Sequence, residues 1–334
     1  MVSKAKRKAR PVAPVTWRDG IHLSGTSIWC DAIRARNICF LSEANAMRGA
    51  KHAQLIASQD TLNLVRPGKS EAGSRLAVPF GQPFTLGTHR IELFSSGHGL
   101  GAASLLVKVE THKVVYAGAV NPRGSVLGGP LDHRSADILV LSGRYGTPRF
   151  AFPPEDSVSA SLGQRCSEIV QAGGVAVLLV GDTGKALDLA SRLGSDLEIQ
   201  VHRGIQEAGR RSRPNLFGGL RRWNEKTKTG RVLLWPIHTR SKLDRSVLPK
   251  ASQVLLVSGQ ALDPDCIAAA GADEGFALSN QADHDELVRY IRGSGASQVY
   301  LTQSSDRGQG LQEALPKHTI EAIGPPEQLS LFGS

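Results

Sequence analysis

Short apolar runs set between stretches of helical spacing mark most of this chain. Val175–Val180 and Val254–Val257 are unbroken apolar runs, and the first, in "VAVLLVGD", has the pattern of a buried strand. "ADILVLSG" (Ala136–Gly143) is a second short continuous apolar strand, ending in glycine. The stretch from Ile21 to Ser42 holds two β-rich runs, "IHLSGTSIWCDA" and "NICFLS", broken by Gly and Asp. His89–Val120 reads as strand, Gly-rich turn, strand, turn, strand. Helical spacing appears over Ser157–Gly174, through Leu162, Cys166, Ile169 and Val170, and again over Lys185–Leu193. Ala282–Gly295 predicts a helix with a glycine stop, and "QVYLTQ" after it another strand. Repeated strand–helix–strand units predict a layered α/β fold with covered sheets.

The length, 334 residues, suits one large or two ordinary domains, and 40% hydrophobic against 21% charged residues excludes global disorder. No apolar run approaches the ~20 residues of a membrane span, and no apolar stretch follows the basic start, so neither a membrane partner nor a secretory signal is expected. Cys30, Cys39, Cys166 and Cys266 form no C-x-x-C pair and read as buried thiols of a reducing compartment, with the cytoplasm as the default. The net charge of +10 makes a polyanion partner plausible.

That charge is unevenly placed. Lys4, Lys6, Arg7, Lys8 and Arg10 form a basic arm without acids, expected to be disordered over residues 1–16. The second run, Arg203–Arg231, holds nine cations (Arg203, Arg210, Arg211, Arg213, Arg221, Arg222, Lys226, Lys228, Arg231) against Glu207 and Glu225. With Phe217 and Trp223 inside it, the run suits phosphate contacts plus base stacking. It equally suits a solvated loop anchored by its aromatics. "VGDTGKA" (Val180–Ala186) is a false lead to a phosphate-binding loop, because Leu179 stands where the first glycine is required; Gly184–Lys185 reads as a helix start.

Five segments, in order, resemble the metallo-β-lactamase fold with a β-CASP insertion, in the branch of mRNA 3′-end-processing-factor-like and ligase-associated exonuclease-like nucleases. They are "IHLSGTSIWCDA", "SSGHGLGAASLLVKVETHKVVYAGAV", "ADILVLSGRYGTPRFAFPP", "FALSNQADHDEL" and "VYLTQ". The resemblance runs from about Trp17 to Ile323. It implies a four-layer αββα sandwich formed by residues 17–150 and 251–324, with an inserted β-CASP α/β domain over residues 151–250. It also implies two zinc ions that activate a bridging water for phosphodiester hydrolysis.

The ligand positions implied by the resemblance are nearly all changed. Where the family has His-x-His-x-Asp-His, Glu43, Asn45, Met47 and Arg48 stand, and only Glu43 is a ligand type. Ala119 replaces the bridging Asp, Ser142 the Glu of Glu-Ser-Thr-Tyr-Gly, Asn280–Gln281 an Asp-His pair, and Gln303 the last His. His98 alone is kept, and it reads as a relic hydrogen-bonded in its glycine turn, while Glu43 reads as an exposed or Arg48-paired acid. Glu43, His98, Asp283 and His284 would lie near one another in a kept fold. The other histidines, His52 among them, read as ordinary surface or turn residues. No catalytic residue and no cofactor is expected, or zinc if a site has been rebuilt around His98.

The chain ends in "QLSLF" (Gln328, Leu329, Ser330, Leu331, Phe332), which resembles the peptide by which bacterial DNA-metabolism proteins dock on the sliding clamp. Pro325 and Pro326 stiffen the approach within the tail, residues 325–334. The alternative is a tail packed on the protein itself. The expected function is a catalytically inactive, nucleic-acid-binding accessory in bacterial DNA repair or replication, tethered to the clamp. Its ligand would be DNA, with RNA open, and a helicase, ligase or nuclease is an expected companion. The rivals are an active metal-dependent exonuclease and a protein-interaction scaffold.

Overall fold

A computed structural model describes residues 13–47, 49–65, 73–193, 197–224 and 231–325. The first sheet joins β1 (Val15–Trp17), β2 (Ile21–Leu23), β3 (Ile28–Cys30), β4 (Ile38–Phe40), β5 (Gln54–Ala57) and β6 (Ser74–Ala77) in sequence order, with α1 (Gln59–Leu64) between the last two. A meander follows: β7 (Phe84–Leu86), β8 (His89–Ser95), β9 (Ala103–Val109) and β10 (His112–Gly118), then the parallel β11 (Ile138–Ser142).

Side chains two apart on these strands share a face, and the core uses both faces. Leu105 and Val107 of β9, Val114 and Tyr116 of β10, and Ile138 and Val140 of β11 pack against Phe40 and Ile56 of the first sheet. Val115, Ala117, Leu139 and Leu141, one position out of phase, pack outward against the helices near the end of the chain. The opposite face of the first sheet, Cys39, Leu41, Leu55 and Ala57, receives Leu62 from α1 and neighbouring Val65.

Between β11 and the closing elements lies a third sheet, parallel throughout. It is built from α2 (Glu155–Gln171), β12 (Val175–Val180), α3 (Thr183–Leu193), β13 (Ile199–Val201), α4 (Arg203–Ser212), α5 (Pro214–Phe217), β14 (Arg221–Arg222), β15 (Arg231–Pro236), β16 (Gln253–Val257), α6 (Pro264–Ala269) and β17 (Glu274–Phe276). The strand order is β14-β13-β15-β12-β16-β17. Alternate residues of β12 feed two cores: Ala176, Leu178 and Val180 meet α2, α3 and α4, while Val175, Val177 and Leu179 face the other side. The strands of this sheet extend to Phe276, so the expected boundary at residue 250 is corrected: β16 hydrogen-bonds β12 and cannot belong to the closing part.

The chain then returns through α7 (His284–Ser294), β18 (Gln298–Thr302), α8 (Gln309–Ala314) and β19 (Thr319–Ala322), extending the second sheet to the order β19-β18-β11-β10-β9-β8-β7. Asp283 caps α7 in a reciprocal capping box with Glu286, and Gly295 ends it in the left-handed conformation, φ 72°. The layers are therefore α1, first sheet, second sheet, then α7 and α8: an αββα sandwich carrying an α/β insertion. Among the described residues no helix is long and apolar enough to cross a membrane.

Candidate functional site

A polar cleft of about 630 Å³ opens where the loops of the sandwich meet the carboxyl ends of β12 and β16. Asp31 and Ser42 follow short buried strands of the first sheet; His98 comes from the β8–β9 turn; Asp182 and Lys185 come from the β12–α3 junction; Asn280 and Gln281 lie on the return to α7.

The β8–β9 turn is possible only with its glycines. Gly97 has φ +67°, and a Cβ there would stand 2.3 Å from the Asn121 carbonyl oxygen. Gly101 has φ +74°, with a Cβ 2.5 Å from the Thr61 nitrogen. This fold holds His98, 3% exposed, with Nδ1 2.7 Å from the Asn280 carbonyl oxygen and Nε2 3.1 Å from Oε2 of Glu43. Burial alone would lower the imidazole pKa, but the Glu43 carboxylate, aided by Asp182, raises it to about 9. His98 is a cation at neutral pH, and both its nitrogens are engaged.

Asp31 accepts from the Ser42 amide at 2.8 Å, the Ser42 hydroxyl at 2.5 Å and the Tyr116 hydroxyl at 2.7 Å. Burial raises its carboxyl to about 6, against the pull of these donors. Lys185 is buried; its Nζ donates to the carbonyls of Val257, at 2.9 Å, and Leu278, and burial lowers its pKa to about 8. Asp182 accepts from the Lys185 amide at 2.6 Å and from Asn280 Nδ2 at 3.3 Å. That fits the expected helix start at Gly184–Lys185: α3 begins at Thr183, directly after Asp182.

Asn45, Ala119, Ser142, Gln281 and Gln303 all line this cleft, so the changed positions do converge. Met47 instead packs beside the α1 core, and Arg48 lies outside the described residues. Among the described residues no three His, Cys, Asp or Glu side chains gather as a metal requires. A methyl group, a hydroxyl and three carboxamides at these positions do not suit a pair of zinc ions. The donor set does not fit the metals that the resemblance implies.

Of the four groups expected to lie together, the structure joins only two. Glu43 touches His98 and is not simply an exposed acid. Asp283 turns its carboxylate to the amides of Glu286 and Phe152, and His284 bonds Asp285. His52, expected at the surface, is buried at 2% exposure, its Nδ1 accepting from the Arg36 amide.

The basic run is helix and edge strand where described, not loop. Arg211 donates to the Asn63 and Leu64 carbonyls at the end of α1, and Arg213 pairs with Asp60 at 2.7 Å. Arg203 pairs with Glu207 at 2.5 Å; Arg221 and Arg231 share Glu198. Phe217 is 3% exposed in the core and cannot stack on a base, whereas Trp223 is half-buried. Arg210 and Arg222 are exposed, without an ion pair among the described residues. Residues Gln328 to Phe332 and residues 1–12 of the basic arm lie outside the described residues, and the expected disorder over residues 1–16 is corrected at its end, where Val15 and Thr16 form β1.

Sequence reasoning missed Asp31, Tyr116, Asp182 and Lys185. Asp31 directly follows β3, and Asp182 stands one glycine after the unbroken apolar run Val175–Val180, the place where strand ends present groups to a crevice. It also missed Arg123, which ties Glu155 of α2 to Glu286 of α7 and donates to the Ser279 and Gln281 carbonyls.

No family model matches the chain. It is 26% identical over 326 residues, 95% of its length, to a protein of Opitutus terrae named probable DNA ligase, and covers 32% of that protein. Two Methanocaldococcus jannaschii proteins share shorter stretches. An RNase J-like protein is 28% identical over 102 residues (30% of this chain, 24% of the relative), and probable RNase MJ4 is 33% identical over 103 residues (29% and 24%). The chain thus spans a third or less of the length of these relatives. A solved structure, a protein of unknown function from Enterococcus faecalis, superposes with a TM-score of 0.55 at 14% identity, covering 86% of this chain and 79% of that one. The fold is a metallo-β-lactamase-like α/β sandwich. These likenesses point toward the metallo-β-lactamase and β-CASP nucleases without placing the chain in a family.

Proposed function

We propose that this protein is a non-hydrolytic relative of the β-CASP nucleases that binds nucleic acid in DNA repair or replication, in the cytoplasm. The observation that carries the reading is the state of His98: both ring nitrogens are bonded, one to a carbonyl and one to Glu43, and among the described residues no group of three His, Cys, Asp or Glu side chains gathers around it. The name of the Opitutus relative, to which nearly the whole chain is similar, supports work beside DNA joining, with a ligase as companion. The names of the two shorter matches support a nucleic-acid ligand more broadly. The inserted α/β unit is read as β-CASP-like, and the tail "QLSLF" as a sliding-clamp tether that raises effective concentration at DNA.

Purified protein incubated with zinc or manganese should bind well under one equivalent of metal and release no nucleotide from single-stranded DNA. A full equivalent that disappears in His98→Ala, together with metal-dependent cleavage, would overturn the reading in favour of a rebuilt site. The Glu43–His98 contact is the feature that favours that rival, since carboxylate and imidazole are both ligand types. Capture by the clamp should be lost in Leu331→Ala and Phe332→Ala; capture that survives both would remove the tether.

A further inference from the structure

At the edge of the third sheet the strand register sets a second group of functional side chains side by side. Val201 pairs with Arg222 on one side and Leu234 on the other, so His202, Arg222, Trp223, Trp235 and Pro236 emerge together at the carboxyl ends of β13, β14 and β15. The turn after β15 adds His238 and Lys242, both exposed. The His202 ring packs edge-on against Trp235 at 4.7 Å, and Trp235 is held by its Nε1 bond to the Thr239 carbonyl. Trp223 is half-buried beside them.

Among the described residues the acids of this region are engaged elsewhere, Asp244 by the Ser246 amide and hydroxyl. Glu207 pairs with Arg203, and Glu198 lies at the amino side of the sheet with Arg221 and Arg231. Arg222, His238 and Lys242 have no ion pair among the described residues. Burial first, then the nearby His238, Arg222 and Lys242, hold the His202 imidazole below its ordinary range. Asp182 and Ser258, which line the polar cleft, lie at the carboxyl ends of β12 and β16 in the same sheet. Cleft and cationic corner therefore open on one edge.

We propose that the corner formed by Arg222, His238, Lys242 and Trp223 is a binding site for single-stranded DNA, in which the cations hold phosphates and the indole stacks on a base. The choice of DNA rests on the functional reading above. An unpaired strand is preferred because a paired base has both its faces covered. Two of the four residues lie outside or at the margin of the basic sequence run, and Arg211 and Arg213, inside it, are committed to α1.

The test is titration of the full protein into a fluorescein-labelled oligo(dT) 20-mer over a salt series. Arg222→Glu with Lys242→Glu should weaken binding at least tenfold and lower the log K against log salt slope by about 1.4, at about 0.7 per phosphate contact on a single strand. Both side chains are exposed; Arg222→Ala with Lys242→Ala is the milder pair should the first lose the native circular dichroism spectrum. Trp223 fluorescence should be quenched by oligo(dT), and Trp223→Phe should remove that quenching. Native-strength binding by the folded double variant would overturn this site while leaving the functional reading standing. No binding by the native protein would overturn both. Tighter binding of duplex DNA, or of oligo(U), would overturn the assignment to single-stranded DNA.

Discussion

Nε2 of His98 stands 3.1 Å from Oε2 of Glu43, and Nδ1 of the same ring 2.7 Å from the Asn280 carbonyl oxygen. The carboxylate is bonded to one ring nitrogen, and its charge raises the imidazole pKa to about 9. Both nitrogens of the ring are thus engaged within the protein.

A stability experiment follows from that pair. A histidine whose folded pKa is raised stabilises the fold fully below its unfolded value, near 6.5, and loses that contribution as pH rises through about 9. Glu43→Gln should therefore cost about 1–2 kcal/mol at pH 6, a figure reduced from that of a fully buried pair because Glu43 is 29% exposed. The difference should shrink toward zero above about pH 10. Urea melts at the two pH values check this; an equal deficit at both would contradict the pairing.

Asp31 gives the opposite profile from the usual carboxylate. Its folded pKa of about 6 lies above the ordinary 3.8, so the native state holds the proton more tightly. Its contribution is most favourable below about pH 4 and is lost as pH rises through 6. The native protein should gain stability relative to Asp31→Asn as pH falls from about 7 to about 4.5, by at most about 3 kcal/mol. A widening advantage of Asp31→Asn on acidification would reverse the assignment. Tyr116→Phe, by removing a donor, should push the Asp31 titration higher still, which carboxyl NMR would detect.

Lys185 joins α3 to the end of β16 and to the return segment at Leu278. Lys185→Met keeps the length and removes the donors, leaving two buried carbonyls without partners. The expected loss is about 2–4 kcal/mol at pH 7. Because burial lowers the lysine pKa to about 8 from 10.5, native stability should rise between those values, and the variant should lack that rise. A variant that matches the native profile would show that the ammonium does not titrate there.

How much of this was legible in the sequence depends on contrast and distance. Val175–Val180, Ile138–Ser142 and the α7 helix stood out because apolar runs and a glycine stop are local signals. α4 did not, since Ile205 and Ala208 are its main inward apolar side chains and arginines crowd the rest. β15 was hidden behind the same basic run, and β16 was assigned to the wrong sheet because register is a long-range property. The changed ligand positions implied by the resemblance could be read from motif order, and seven of them (Glu43, Asn45, Ala119, Ser142, Asn280, Gln281 and Gln303) do line one cleft. Glu43 with His98, 55 residues apart, and Asp182 with Asn280, 98 apart, meet only through the fold.

The arginines of the basic run separate into two classes by what they touch, and mutagenesis should expose the division. Arg211 and Arg213 fasten α4 to α1 through two carbonyls and Asp60, whereas Arg210 is exposed with no ion pair among the described residues. Charge reversal at Arg213 would set a carboxylate against Asp60, and at Arg211 it would set one against the carbonyl end of α1, where negative charge is disfavoured. Arg211→Glu with Arg213→Glu should lower the melting temperature by several degrees, for a loss of about 1–3 kcal/mol. Arg210→Glu should leave it within about a degree, matching the small effect of exposed substitutions. Differential scanning calorimetry of the three proteins without DNA decides the matter: equal melting temperatures would mean that the α4–α1 contacts carry no stability. Weakened DNA binding by the double variant would then be evidence of direct contact, whereas a lowered melting temperature would make it a consequence of a loosened junction.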